Sequence, residues 1–293
     1  MSDDGRQGIT VIAFVGSVFS PGYANARRRQ PDVDPLDYCA LNVVVYERDR
    51  KSWALTEWPR HAIHRDADHF ALGPNRLSWN QGALELIFDE RQSPFGQPLR
   101  GRLRLTPEHL YGHPVYLDQA REHRWWPVCP HARIEVWLDQ PGLHFVGAGY
   151  HDSNEGDVPL EQSFRYWTWS RATLPKGTAV LYDVDPVAGP PTRRGWLFDH
   201  DGRVRDIAAP RAQSLPPGLW GVPRHTRVDE GASARVEQTF EDSPFYMRSL
   251  LRTRLLGEDA LAVHEALSLE RFDQTWVQLL LPFRMRRRRR WNP

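Results

Sequence analysis

Arg133-Ile-Glu-Val-Trp-Leu-Asp-Gln-Pro-Gly-Leu-His-Phe-Val-Gly-Ala-Gly149 is the run that decides the fold. Its first half sets Ile134, Val136 and Leu138 against Arg133, Glu135 and Trp137, the period-2 pattern of a strand. Asp139-Gln-Pro-Gly142 at its centre is turn chemistry, and Leu143–Gly149 resumes extended character. The spacing predicts an antiparallel hairpin.

Chemistry flanks this hairpin on both sides. His123-Arg-Trp125-Trp126-Pro precedes it, and Tyr150-His-Asp152-Ser-Asn-Glu155-Gly-Asp157 follows it. Residues i and i+2 of a strand share a face. His123 therefore projects with Trp125, and Tyr150 with Asp152, while His151 points the other way. An imidazole, an indole, a phenol and a carboxylate can face one another across a sheet. The plainer reading is an aromatic core with satisfied polar groups, and spacing alone does not choose between them. Glu155 and Asp157 read as loop acids.

The same period runs along most of the chain. Thr10–Phe19, Tyr38–Arg48, Trp53–Glu57, Arg76–Asp89 and Leu99–Thr106 read as strands, with Asn80-Gln-Gly82 as a hairpin turn and a short helical turn within 60–70. Phe164–Arg171, Thr178–Val184, Arg194–His200, Val204–Ile207 and Ala234–Glu241 continue the series. Pro and Gly cluster at 186–191 and 210–222, marking long loops. Met247, Leu250, Leu251 and Leu255 recur at helical spacing, which predicts one short helix over 246–256 near the C-terminus. His264–Phe272 and Trp276–Phe283 read as closing strands. The chain is expected to be all-β, with two antiparallel barrel or sandwich domains in tandem and a boundary near residues 153–165.

Composition excludes several classes. Net charge is +1 over 293 residues, and Arg286–Arg290 alone carry five positive charges, so the body is slightly acidic. Basic charge confined to a tail argues against nucleic-acid binding. Cys39 and Cys129 show no metal-ligand or disulfide spacing and suit a reducing compartment. No site of metal-ligand type is expected. The N-terminus, Ser-Asp-Asp-Gly-Arg-Gln, is too polar for a signal peptide, and the apolar runs fall well short of the ~20 residues that a spanning helix needs.

Several strings together carry a resemblance. They are Ala13-Phe-Val-Gly-Ser-Val-Phe-Ser-Pro-Gly-Tyr-Ala24, Asp34-Pro-Leu-Asp-Tyr-Cys-Ala-Leu-Asn-Val43, His123-Arg-Trp-Trp-Pro127, Gly149-Tyr-His-Asp-Ser-Asn-Glu-Gly156, Trp167-Thr-Trp-Ser-Arg-Ala172, His264-Glu-Ala-Leu-Ser-Leu-Glu-Arg-Phe272 and Leu281-Pro-Phe-Arg-Met-Arg286. In this order they resemble the carotenoid 1,2-hydratases, or hydroxyneurosporene synthases, of phototrophic bacteria, from about residue 8 to residue 286. The resemblance implies two lipocalin-like β domains, here 8–157 and 158–286, followed by a basic tail, 287–293. It also implies cofactor-free hydration of the terminal C1=C2 bond of acyclic carotenoids such as neurosporene and lycopene. The family's His-x-Trp and Tyr-x-Asp fall on His123, Trp125, Tyr150 and Asp152. Asn25 departs from the pattern, where an aromatic residue is expected.

Hydrating an isolated alkene needs a proton donor, a cation-tolerant environment and water. Asp152 is the candidate acid, provided that an apolar site holds it protonated. Trp125 and Tyr150 offer ring faces to a cation, and His123 can orient Asp152 or take a proton from water. Trp126, Trp167 and Trp169 are candidate walls of a polyene site. His264-Glu265 reads as structural, since neighbours on a strand face opposite ways. Two rivals share the fold: a non-catalytic carrier of hydrophobic ligands, and a hydratase or cyclase of other prenylated substrates. A hydrocarbon substrate resides in the bilayer, so a cytoplasmic enzyme peripheral to the bacterial (intracytoplasmic) membrane is expected. Arg286, Arg287, Arg288, Arg289, Arg290 and Trp291 would contact the anionic surface.

Overall fold

The computed structural model describes residues 1–30 and 32–288. It is built almost wholly of antiparallel β-sheet. Two compact units share the chain. The first takes residues 1–107, 132–149 and the chain from Gln278 on; the second takes 108–131 and 150–277. Neither coincides with the linear stretches 8–157 and 158–286, because two long strands, His123–Gln140 and Leu143–Gly156, each contribute one half to either unit.

In the first unit, Gly8–Phe14, Cys39–Tyr46 and Lys51–Trp58 form an antiparallel meander. The middle strand, Cys-Ala-Leu-Asn-Val-Val-Val-Tyr, is buried along its whole length, as a near-continuous apolar run requires. Strands from Ile63 to Pro107 form a second, larger sheet with the distal half of the 123–156 hairpin. The turn Asn80-Gln-Gly82 forms as expected, with Gln81 and Gly82 both at positive φ. Gly142, at φ +87°, turns the long hairpin. Cys39, Trp58, Ile63 and Leu72 pack together in the core. Glu90, buried beside them, accepts from Thr56 Oγ1, Trp58 Nε1 and Asn75 Nδ2, and burial pushes its pKa up to about 7.

The second unit is built on a seven-stranded sheet. Its strand order is Val204–Asp206, Thr192–Asp199, Gly177–Pro186, Phe164–Leu174, Glu258–Ser268, Tyr246–Leu255 and Arg235–Asp242. Register sorts its side chains. Trp169 lies opposite Tyr182 on one neighbour and Glu265 on the other, and Trp167 lies opposite Val184 and Leu267. Those residues therefore share one face. Ala172, Leu181, Leu197, Leu251 and Ala262 pack on the other face against Leu215 and Ala234.

Several expectations are corrected. Residues 246–255 form a strand, not a helix: seven of the ten are buried, on both sides of the sheet, which erases the period-2 signal. Residues 276–283 are not a strand; they belong to the helix Thr275–Leu280 and the 3-10 turn Leu281–Phe283. The strand expected over 264–272 runs Glu258–Ser268 and then turns into the short helix Leu269–Phe272. The first strand stops at Phe14, and Pro21–Arg29 is a helix capped by the Ser20 hydroxyl. The 60–70 segment is one 3-10 turn, Arg60–Ala62, followed by strands.

The start of the basic tail is not loose. Arg286–Arg287 lies parallel to Lys51–Trp58. The Arg286 guanidinium donates to the Gln92 and Pro94 carbonyls, Arg287 pairs with Glu57 at 2.8 Å, and the Arg288 N–H donates to the Glu57 carbonyl. Arg289, Arg290 and Trp291 lie outside the described residues.

Candidate active site

The second unit brings the proximal end of the hairpin onto the aromatic face of its sheet. Alternation along the first strand holds as predicted: His123 and Trp125 are buried, while Arg124 and Trp126 turn away. Trp125 is fully buried, with its ring 5.0 Å from Trp196 and 5.7 Å from Tyr182. Trp126 does not join the cluster. It is partly exposed, and its indole N–H donates to the Tyr111 carbonyl.

Asp152 is the focus of the site. The indole Nε1–H of Trp125 donates to Asp152 Oδ2 at 2.8 Å, and the Tyr150 hydroxyl donates to the same oxygen at 2.9 Å. Oδ1 has no hydrogen-bond partner among the described residues. Asp152 keeps a little accessible surface. Even so, burial raises its pKa from 3.8 to about 6, against the two donated hydrogen bonds, which lower it. Glu265 raises it further, and Arg248 lowers it. Burial also holds the Tyr150 and Tyr182 phenols well above their ordinary value, so both stay neutral donors.

Aromatic rings close around this carboxyl. Trp169 lies 5.2 Å from Tyr150, and Trp167 packs edge-on against Tyr182 and Phe164. The Trp169 Nε1–H is buried with no hydrogen-bond acceptor among the described residues.

His123 sits in the same unit but does not bond Asp152. Its Nδ1 bonds Asp118 Oδ2 at 2.7 Å, and its Nε2 meets the Val158 carbonyl at 3.1 Å. Both ring nitrogens are thus engaged away from the carboxyl. Gly156 makes this possible: a Cβ there would lie 2.7 Å from His123 Cδ2. Glu155 and Asp157 are exposed and pair with Arg124.

Two charged residues of the site, Arg171 and Arg248, escaped sequence reasoning, and a third, Glu265, read from sequence as structural, lies beside them. Glu265 shares the face of Trp169 and bonds Arg248 at 2.7 Å, whereas His264 points to the opposite face and is fully buried. Arg171 is buried with its guanidinium 5.4 Å over the Tyr150 ring, and burial lowers its pKa. The available signal was alternation from Trp169, which puts Arg171 on the same face; for Glu265 and Arg248 the signal is strand register, which sequence does not print. Among the described residues, two groups in this unit have the donor types and spacing for a cation: Asp118, Glu122 and His123, and Glu108, His131 and His200. In the first, Asp118 and His123 already bond each other.

Comparisons with known proteins identify the family. A family model described as carotenoid hydratase CrtC matches residues 11–293. The chain is 46% identical over 288 residues to the acyclic carotenoid 1,2-hydratase of Thiocapsa roseopersicina, covering 98% of this chain and 71% of that protein. It is 36% identical to the enzyme of the same name from Cereibacter sphaeroides, covering 96% of this chain and 99% of that one. Among solved structures, CghA with Sch210972 is similar in fold, with a TM-score of 0.55 at 13% identity, over 92% of this chain and 86% of that one.

Proposed function

The chain belongs to the carotenoid hydratase family and hydrates acyclic carotenoids; from that premise we propose that it adds water across the terminal C1=C2 bond of substrates such as neurosporene and lycopene, with Asp152 as the acid. The observation that carries this reading is one carboxyl inside an aromatic cluster, with Oδ2 held by two donors and Oδ1 unpartnered among the described residues.

The proton on Oδ1 passes to C2, the pair of π electrons forms the new C–H bond, and C1 becomes a tertiary cation. Water attacks C1 and returns one proton to the Asp152 carboxylate, which closes the cycle. Trp125 and Tyr150 stabilise the carboxylate through Oδ2 while the cation exists. Ring faces of Tyr150 and Trp169 can contribute about 2 kcal/mol each to a desolvated cation. A pKa of about 6 leaves roughly one Asp152 in ten protonated at pH 7, ample for a general acid. His123, held by Asp118 and Val158, fixes the strand that carries Trp125. Addition of water involves no net oxidation or reduction, so the step calls for no redox cofactor.

A long hydrocarbon partitions into the bilayer, so we place the enzyme at the cytoplasmic face of the bacterial membrane. Among the described residues no helix is long and apolar enough to cross one. The test is purified protein with lycopene in detergent, with chelator and no additives, beside Asp152→Asn. Product heavier by one water from wild type, and at least ~1,000-fold less from the variant, supports the assignment. Equal product from both removes Asp152 from the role.

A further inference from the structure

Helices on a protein surface turn their apolar stripe to the core. The C-terminal helical segment does the reverse. Trp276, Leu279, Leu280 and Phe283 are spaced i, i+3, i+4 and i+7, and all four are exposed, Leu279 to 66% and Phe283 to 80%. Val277, off that stripe, is the buried residue of the helix. Single exposed apolar residues are ordinary; an ordered stripe is not.

In the second unit the stripe is extended by a loop. The Trp220 ring stacks on Trp276 at 6.0 Å and 25°, and the neighbouring Leu219 is 97% exposed. This loop is held out rather than loose. The Leu219 N–H donates to Asp242 Oδ2, and the Arg271 guanidinium donates to the Trp220 carbonyl at 2.6 Å and to the Pro244 carbonyl at 3.0 Å. Those bonds satisfy the loop backbone and leave its side chains facing water.

We propose that the helical segment 275–283, with Leu219 and Trp220, docks this protein on an anionic lipid bilayer. The occupant follows from charge and chemistry. Arg271 lies under the loop, Arg284 follows the stripe directly, and the sequence runs on through arginines to Trp291. A helix with Trp, Leu and Phe on one face and basic residues beside it lies in the interfacial plane, with the indoles at headgroup depth. Arg286 and Arg287 are spent on contacts inside the protein, so the apolar stripe, not those two arginines, supplies the insertion. Why the protein should dock rests on the carotenoid reading; whether it docks does not.

The test is flotation of the full chain with carotenoid-free vesicles of phosphatidylcholine and phosphatidylglycerol, beside the double variant Leu279→Ser/Phe283→Ser. Both positions are exposed and neither belongs to the aromatic cluster around Asp152, so the variant is expected to fold and to hydrate lycopene in detergent like wild type. Wild type should co-float, and the variant should partition about tenfold less or weaker still. Equal flotation of the two proteins, or no flotation of wild type, overturns the proposal. So does a wild-type dimer that the variant loses without any vesicle binding, which would make the stripe a contact between copies. Vesicles without substrate keep this result separate from failure of the hydratase reading.

Discussion

A buried acid is a liability that the residue scale makes measurable. Asp152 has a pKa of about 6 where it is embedded and about 4 unfolded, because burial disfavours the charged form. The raised value means that the folded state holds its proton more tightly. Stability from this group is therefore full below about pH 4 and is lost as pH rises through about 6. Asp152→Asn removes the charge and keeps an oxygen for Trp125 and Tyr150. The variant is predicted to be more stable than wild type at pH 8, by up to about 3 kcal/mol, with the gain vanishing at pH 4. Calorimetry at the two pH values checks this; a variant less stable than wild type at pH 8 contradicts the burial argument. At this scale much was legible, since period 2 alone put Trp125 with His123 and Tyr150 with Asp152 on common faces. What His123 does was not, because its partner Asp118 comes from a loop and its other bond goes to a backbone carbonyl.

Elements explain which errors were made. The 123–156 hairpin was readable because one face of each strand is buried and the other is not. Tyr246–Leu255 misled because its neighbours bury both faces, leaving a leucine pattern that fits a helix equally well. Residues 276–283 misled in the opposite way: an apolar run read as a closing strand forms the helix Thr275–Leu280 and a 3-10 turn, with most of its apolar side chains exposed. The hairpin also carries a sharp packing constraint at Gly156, whose missing side chain admits the His123 ring. Gly156→Ala is predicted to displace that ring and cost about 1–3 kcal/mol of stability, read as a lower Tm. An unchanged Tm would show that the ring can move freely, and that His123 does not fix the strand.

Over the whole molecule, the β class and the family were legible in the sequence, but the connectivity was not. The division into units that share two strands, and the return of Arg286–Arg287 to the strand Lys51–Trp58, depend on pairings between residues far apart in the chain. No local pattern encodes them. If protonated Asp152 begins the reaction, as proposed, then kcat/KM on detergent-dispersed lycopene must follow its titration. The expected rate is level at low pH and falls about tenfold per unit above about pH 6, as the acid is lost. A rate that is flat or rising from pH 5 to pH 8 would contradict it.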